Sequence, residues 1–340
     1  MKTVPRPERH DKSLLAPIRD GVMGLARFCI QIVFACCALA TLLNYLGDRY
    51  HAFELLTHFR LQYLGVSLIS GAALMLLSDS DRRRLWVLPI LLLTALNGLP
   101  VIPYYVPNKP VESANGPSLR VLNANVLISN TQYERLAQLI QREAPDLVAL
   151  EEVDATWLTV LEPTLHHSYP YRKLVPLDSP FGIALYSKLP LSGVQVKFFG
   201  NAYRGRLFPS ILAQVRYGGQ KTLSVLVTHP LPPMSGFEVR NSQLADIAAQ
   251  RAGFGNNLVV VGDLNISQWS PYFSRFIAAT GLRDSQRGFG VQPSWPADIP
   301  LLRVPIDHVL VSPGIAVLNR RLGPDIGSDH LPVIADLQVP

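Results

Sequence analysis

Beyond Cys37 the sequence contains no cysteine, so nine tenths of the chain can hold no disulfide and must rely on its core. The three that exist, Cys29, Cys36 and Cys37, fall together in an apolar run, where they read as small packing side chains rather than a metal or redox site. Charge is scarce as well. Only 16% of the 340 residues are Asp, Glu, Lys or Arg, against 48% hydrophobic, and the mean hydropathy is +0.19. That balance is unusual for a fully soluble protein. What charge there is sits unevenly: residues 1–110 hold 12 basic and 7 acidic side chains, and the remainder 19 and 18. The net +6 is therefore mostly N-terminal, and a broadly basic nucleic-acid-binding surface is excluded from the rest, though a small local patch is not. Internal repeats, heptads and low-complexity tracts are lacking.

Three long apolar runs account for the hydropathy. Residues 22–46, interrupted mainly by Arg27, Gln31 and Asn44, are long enough to cross a bilayer, which takes about 20 residues of helix. Residues 61–77 sit near the lower limit. Residues 85–106 include Pro89, Asn97, Pro100 and Pro103, and the late prolines predict a helix that ends before the hydrophobicity does. A cleaved signal peptide fits the first run poorly, because its apolar part is too long and two more runs follow. Basic residues set the expected orientation. Lys2, Arg6, Arg9, Lys12 and Arg19 lie in or near a leader over residues 1–21, and Arg82, Arg83 and Arg84 separate the second and third runs, whereas the first intervening loop has only Arg49 and Arg60. The positive-inside rule places the leader and the triple-Arg loop in the cytoplasm. Three crossings then put the rest of the chain outside, which in a bacterium means an inner-membrane protein with a periplasmic or extracellular domain.

Residues 107–118, PNKPVESANGPS, read as a linker. After it, Val-, Leu- and Ile-rich runs at 119–126, 146–153, 182–188, 211–217, 222–229, 257–265, 307–312 and 332–339 read as strands. Helical periodicity appears at 132–143 and 239–251. The mixture predicts an α/β layered domain over residues 119–340. Its polar residues collect where strands end: Asn125, Glu152, His229, Asp263, Asn265, Asp307, Asp329 and His330. Core strands fix such backbones while the side chains reach an open edge. Six oxygen donors and two imidazoles suit a hard cation, Mg2+ or Mn2+, better than zinc.

The ordered set LNANV, ALEEV, GIALYSK, THP, VVGDLN, IDHVLVS and GSDHLPV resembles the endonuclease/exonuclease/phosphatase superfamily, which includes DNase-I-like nucleases, abasic-site endonucleases, sphingomyelinases and inositol-phosphate phosphatases. GDLN and SDH in this order are the specific part, and the likeness covers about residues 119–339. It implies a four-layer α/β sandwich, here preceded by three transmembrane helices, as in bacterial membrane-anchored members. It also implies roles. Glu152, Asp329 and Asn125 match the metal-binding positions; Glu151, where relatives often have Gln, is the alternative to Glu152, and strand alternation allows only one of the two to face the metal. His330 matches the general base and Asp307 the carboxylate that fixes its tautomer. Asp263 orients the nucleophile or metal, and Asn265 and His229 contact phosphate oxygens. Asn123 is a second group on the Asn125 face, Ser328 shapes a turn, and His308 stands at a variable pocket position. Arg206, Tyr171 and Trp295 are expected substrate contacts by position.

The expected activity is hydrolysis of a phosphate ester by His-activated water. Three readings of the substrate stay open. A lipid head group or lipid-linked phosphate fits a near-neutral domain tethered to a bilayer; nucleic acid has precedent in the family, with Arg204 and Arg206 the nearest basic residues; a non-catalytic membrane-binding module would have no need of this complete residue set.

Overall fold

The computed structural model describes residues 16–107, 116–219 and 221–340; most of the basic leader and of the 107–118 linker lies outside them. The described residues separate into two units, one of those up to Leu43 with Arg60–Leu99 and one of Asn44–Phe59 with those from Pro100 to Pro340.

The first unit is helical: α1 (Ala16–Asn44), then, beyond a short helix α2 (His51–Thr57) that belongs to the second unit, α3 (Arg60–Leu77) and α4 (Ser80–Gly98). A small core joins its three helices through Phe34, Leu74 and Leu93. Gly71 lets α3 approach α4 closely, since a Cβ there would lie 2.9 Å from Ile90. The first two expected spans coincide with helices long and apolar enough to cross a membrane, Arg19–Asn44 and Arg60–Leu77. The third expectation needs correction. Asp81, Arg82, Arg83 and Arg84 occupy the first turns of α4, and the apolar stretch runs on past its end into a separate 3-10 turn, Ile102–Tyr104. Two helices rather than three therefore pass on length and composition among the described residues.

The second unit is built on two six-stranded sheets. Twelve strands, β1 (Ser118–Asn125), β2 (Leu147–Glu151), β3 (Tyr171–Val175), β4 (Ile183–Ser187), β5 (Leu191–Phe198), β6 (Pro209–Tyr217), β7 (Lys221–Thr228), β8 (Leu258–Asp263), β9 (Arg283–Asp284), β10 (Asp307–Val311), β11 (Ala316–Leu322) and β12 (Val333–Gln338), follow one another. They pair in the orders β11-β12-β1-β2-β4-β3 and β5-β6-β7-β8-β10-β9. Side chains alternate across each strand. Val121, Leu147 and Leu185 thus face Val225, Val261 and Val309 of the other sheet in one shared core. Leu122, Val148 and Tyr186 point the other way, against Leu136 and Leu139 of α5 (Tyr133–Glu143) and Trp157 of α6 (Ala155–Leu165). Leu226, Val260 and Leu310 pack on Leu244 of α7 (Pro233–Ala249) and Phe273 of α8 (Pro271–Thr280). Helix, sheet, sheet, helix is the four-layer sandwich that the family resemblance implies.

Strands β2, β4, β8 and β10 are buried on both faces; this is why they read as unbroken apolar runs. Helices start where local chemistry allows: Asp154 accepts a hydrogen bond from the Trp157 N–H to cap α6, and Ser270 caps α8 ahead of Pro271. The unit also extends beyond the expected 119–340, because Asn44–Phe59 folds with it.

Candidate functional site

Register brings the strand-end polar residues together. Asn125, the last residue of β1, pairs with Glu151 at the end of β2, and Asp307, the first of β10, pairs with Asp263 at the end of β8. The two sheets meet there through a hydrogen bond from Asn125 Nδ2 to Asp263 Oδ2, 3.3 Å. Glycine is obligatory at 262: with φ +150°, its Cβ would lie 1.9 Å from the Thr228 carbonyl oxygen.

Asp263 sits at the centre. Its Oδ1 accepts the Asn265 N–H at 2.8 Å, and its Oδ2 lies 3.5 Å from both His229 Nε2 and His330 Nε2. Burial would raise its pKa, but the His330 and His229 charges and hydrogen bonds prevail and hold it at about 2. His330 Nδ1 is 2.9 Å from Asp307 Oδ2, which also accepts from Ser294 Oγ at 2.5 Å. Burial opposes a charge on His330, yet Asp307, Asp263 and Asp329 outweigh it and push its pKa to about 10. His229 is also shifted upward, burial being overcome by Asp263 and Glu152.

The paired glutamates separate as alternation requires. Glu151 turns into the interior, where neither carboxylate oxygen has a hydrogen-bond partner and burial, with Asp307 and Asp263, keeps its pKa well above the usual carboxylate range. Glu152 adopts a left-handed backbone, φ +63°, and opens to the cavity. Its Oε1 accepts from Asn125 Nδ2 at 3.0 Å and its Oε2 from the Ile128 N–H at 3.2 Å. Asp329 Oδ2 accepts from Trp295 Nε1 at 2.9 Å, while its buried Oδ1 has no partner. Glu152 and Asp329 line the same cavity of about 420 Å³ as Asp263, Asn265, His229 and His330. An orphaned carboxylate oxygen beside other carboxylates fits a hard divalent cation. The close acid–imidazole cluster of Asp263, Asp307 and His330 has a different character. Asp307 lies behind the cavity, its Oδ2 already shared by His330 and Ser294, so it holds the His330 ring instead of lining the cavity.

The endonuclease/exonuclease/phosphatase family model matches residues 119–330. The chain belongs to this family. It is accordingly a hydrolase of phosphate ester bonds, and divalent-metal dependence is typical of such enzymes. Among solved structures the family fold recurs in humanized D. rerio TDP2, 17% identical with TM-score 0.54 over 65% of this chain and 98% of that one. It recurs in an endonuclease/exonuclease/phosphatase from Beutenbergia cavernae, 23% identical with TM-score 0.52 over 65% and 72%. Sphingomyelinase C from Streptomyces griseocarneus is 19% identical, with TM-score 0.50 over 65% and 99%. No curated protein matches significantly in sequence.

Other expected site residues of this family member fall elsewhere. Tyr171 pairs with Ser187, and Ser187 with Leu147, which places it at the opposite end of its sheet from Glu151. Arg206 is exposed in the β5–β6 connection, bridged to Tyr203, and does not line the cavity. Asn125 is committed elsewhere: its amide nitrogen joins Glu152 to Asp263 and its oxygen accepts the Leu127 N–H, so it positions the carboxylates. His308 is buried, with Nε2 2.7 Å from the Ile266 carbonyl oxygen, and does not line the cavity. Ser328 Oγ donates to the Asn125 carbonyl and accepts the His330 N–H, shaping the turn as expected. Sequence reading missed Ser294, Leu55, His58 and Phe59. No local motif marks them; only tertiary packing brings them to the site.

Proposed function

We propose that this protein is a membrane-anchored, divalent-metal-dependent phosphoesterase in which His330 activates a water for in-line attack on phosphorus. The observation that carries the reading is the linked set Asp307–His330–Asp263–His229 at the floor of a cavity that also holds Glu152 and Asp329. Asp307 fixes the Nδ1–H tautomer of His330 and leaves Nε2 to take the proton of water. Asp263 orients that water. A protonated His229 and the side chain of Asn265 bind the phosphate oxygens that gain charge. The water oxygen bonds to phosphorus as the ester P–O bond breaks, and the departing oxygen takes up a proton. Glu152 and Asp329 would hold a Mg2+ or Mn2+ ion, which supplies charge to polarise the phosphoryl oxygen, support the leaving group and offset the carboxylate field that keeps His330 protonated.

Apolar helices near the N-terminus and the basic residues flanking them support a location in the bacterial inner membrane. There it would reach lipid or lipid-linked phosphate esters. The test uses the full-length protein in detergent with Mg2+ or Mn2+, assayed on lipid phosphates, plasmid DNA and single-stranded DNA. Chelation should abolish turnover, and His330→Ala should lower kcat by roughly 10²- to 10⁴-fold. Near-normal turnover by a pure His330→Ala protein would sink the mechanism.

A further inference from the structure

The cavity is lined by two unlike sets of residues. One is the imidazoles and carboxylates; the other is Leu55, Phe59, Met234, Val304 and Ile306, with Trp295 hydrogen-bonded to Asp329. No Lys or Arg lines it. Part of the apolar set comes from far outside the family domain. Leu55 and Phe59 belong to Asn44–Phe59, the segment bounded in sequence by α1 and α3.

That segment is fastened to the catalytic unit. Glu54 Oε2 pairs with Arg240 Nη2 at 2.6 Å, both side chains fully buried, and Glu54 Oε1 accepts from Ser270 Oγ at 2.6 Å. Arg240 Nη1 in turn donates to the Asn265 carbonyl oxygen at 3.0 Å, so the anchor touches the backbone of a phosphate-contacting residue. The His51 ring stacks on Phe237 at 4.5 Å.

His58 completes the wall. Its Nδ1 accepts the Ser267 N–H at 3.2 Å and lies 2.8 Å from Ser267 Oγ. A ring nitrogen that accepts from a backbone N–H carries no proton itself, so the hydrogen is on Nε2. Nε2 belongs to a buried residue lining the cavity and has no hydrogen-bond partner.

We infer that Leu55, His58 and Phe59 form the substrate-selecting wall of this site, admitting phosphate esters that carry an aliphatic chain: Leu55 and Phe59 take the chain, and His58, hydrogen-bonded to Ser267, holds that wall in place. This rests on the phosphoesterase reading above. An extended nucleic acid is a poor fit, because its phosphates require several Lys or Arg contacts that this cavity lacks.

The test compares substrates that differ only in chain length: hexadecyl and ethyl p-nitrophenyl phosphodiesters, and hexadecyl and ethyl phosphate, on the full-length protein in detergent with Mg2+ or Mn2+. The long-chain ester should be preferred at least tenfold in kcat/KM. Leu55→Ala and Phe59→Ala should erode that preference mainly through KM, Leu55→Met should retain it, and His58→Phe should raise KM for the long-chain ester. Leu318→Ala, on β11 away from the cavity, should keep the wild-type ratio. Equal turnover of both chain lengths that is still lost in His330→Ala overturns this inference alone. So does an unchanged ratio in both wall variants, or faster cleavage of single-stranded DNA than of the hexadecyl esters. No turnover of any ester overturns the phosphoesterase reading and this inference with it.

Discussion

His58 shows how one side chain ties acid sensitivity to a packing contact. Burial is the main force on it, opposed by the Glu54 charge and reinforced by Arg240 and His308, and its pKa falls to about 4. The folded protein therefore keeps His58 neutral while an unfolded chain protonates near 6.5, so protons favour the unfolded state between those values. Stability contributed by this group is fully present above pH 6.5 and is lost as pH falls towards 4, to a limit of roughly 3 kcal/mol. His330, with its raised pKa, adds an opposite slope only near pH 6.5 and above, where the unfolded chain loses that proton, and none well below it. Denaturant unfolding of wild type and His58→Leu at pH 7 and pH 5 should show the wild type losing more stability on acidification. Parallel losses would show that His58 is not held neutral. None of this was readable beforehand, because His58 in sequence is one polar residue in a short loop. Glu152, His330 and Asp263 were readable, since Glu152 and Asp263 close apolar runs and His330 stands just ahead of one, all with unambiguous strand identity. Tyr171 misled: adjacency to a strand start says nothing about which end of the sheet that start occupies.

At the scale of elements, legibility followed burial. Strands buried on both faces announce themselves by composition, whereas β3, β5 and β11, at or near sheet edges with mixed exposure, do not. Helix α6 was hidden by Pro163 within it, and α8 by its brevity. The largest omission was α2. Seven residues, HAFELLT, are too few for helical stability of their own; the element exists because Glu54 finds Arg240 and Ser270 across the fold. Removing one partner of a buried ion pair strands the other charge, at a cost of about 3 to 5 kcal/mol. Glu54→Ala should therefore lower the thermal unfolding midpoint of the detergent-solubilised protein markedly, and Glu54→Leu combined with Arg240→Met should recover much of the loss. A midpoint unchanged in Glu54→Ala would mean that α2 is not docked in solution.

For the whole molecule, the charge asymmetry gave an orientation and the apolar runs gave lengths, but neither says which residues share a compartment. The folded unit does. Cysteine substitutions at exposed Ala52 and at Asn201 of the catalytic unit should both be labelled, or both protected, by a membrane-impermeant maleimide applied to intact cells. Opposite outcomes at the two positions would show that Asn44–Phe59 and the catalytic unit are not packed together in the membrane.

The Glu54–Arg240 pair also sets an order of assembly. It buries residue 54 against a partner 186 positions further along the chain, so α2 is made early and held late: nothing can fix it in place until the chain has been synthesised through α7.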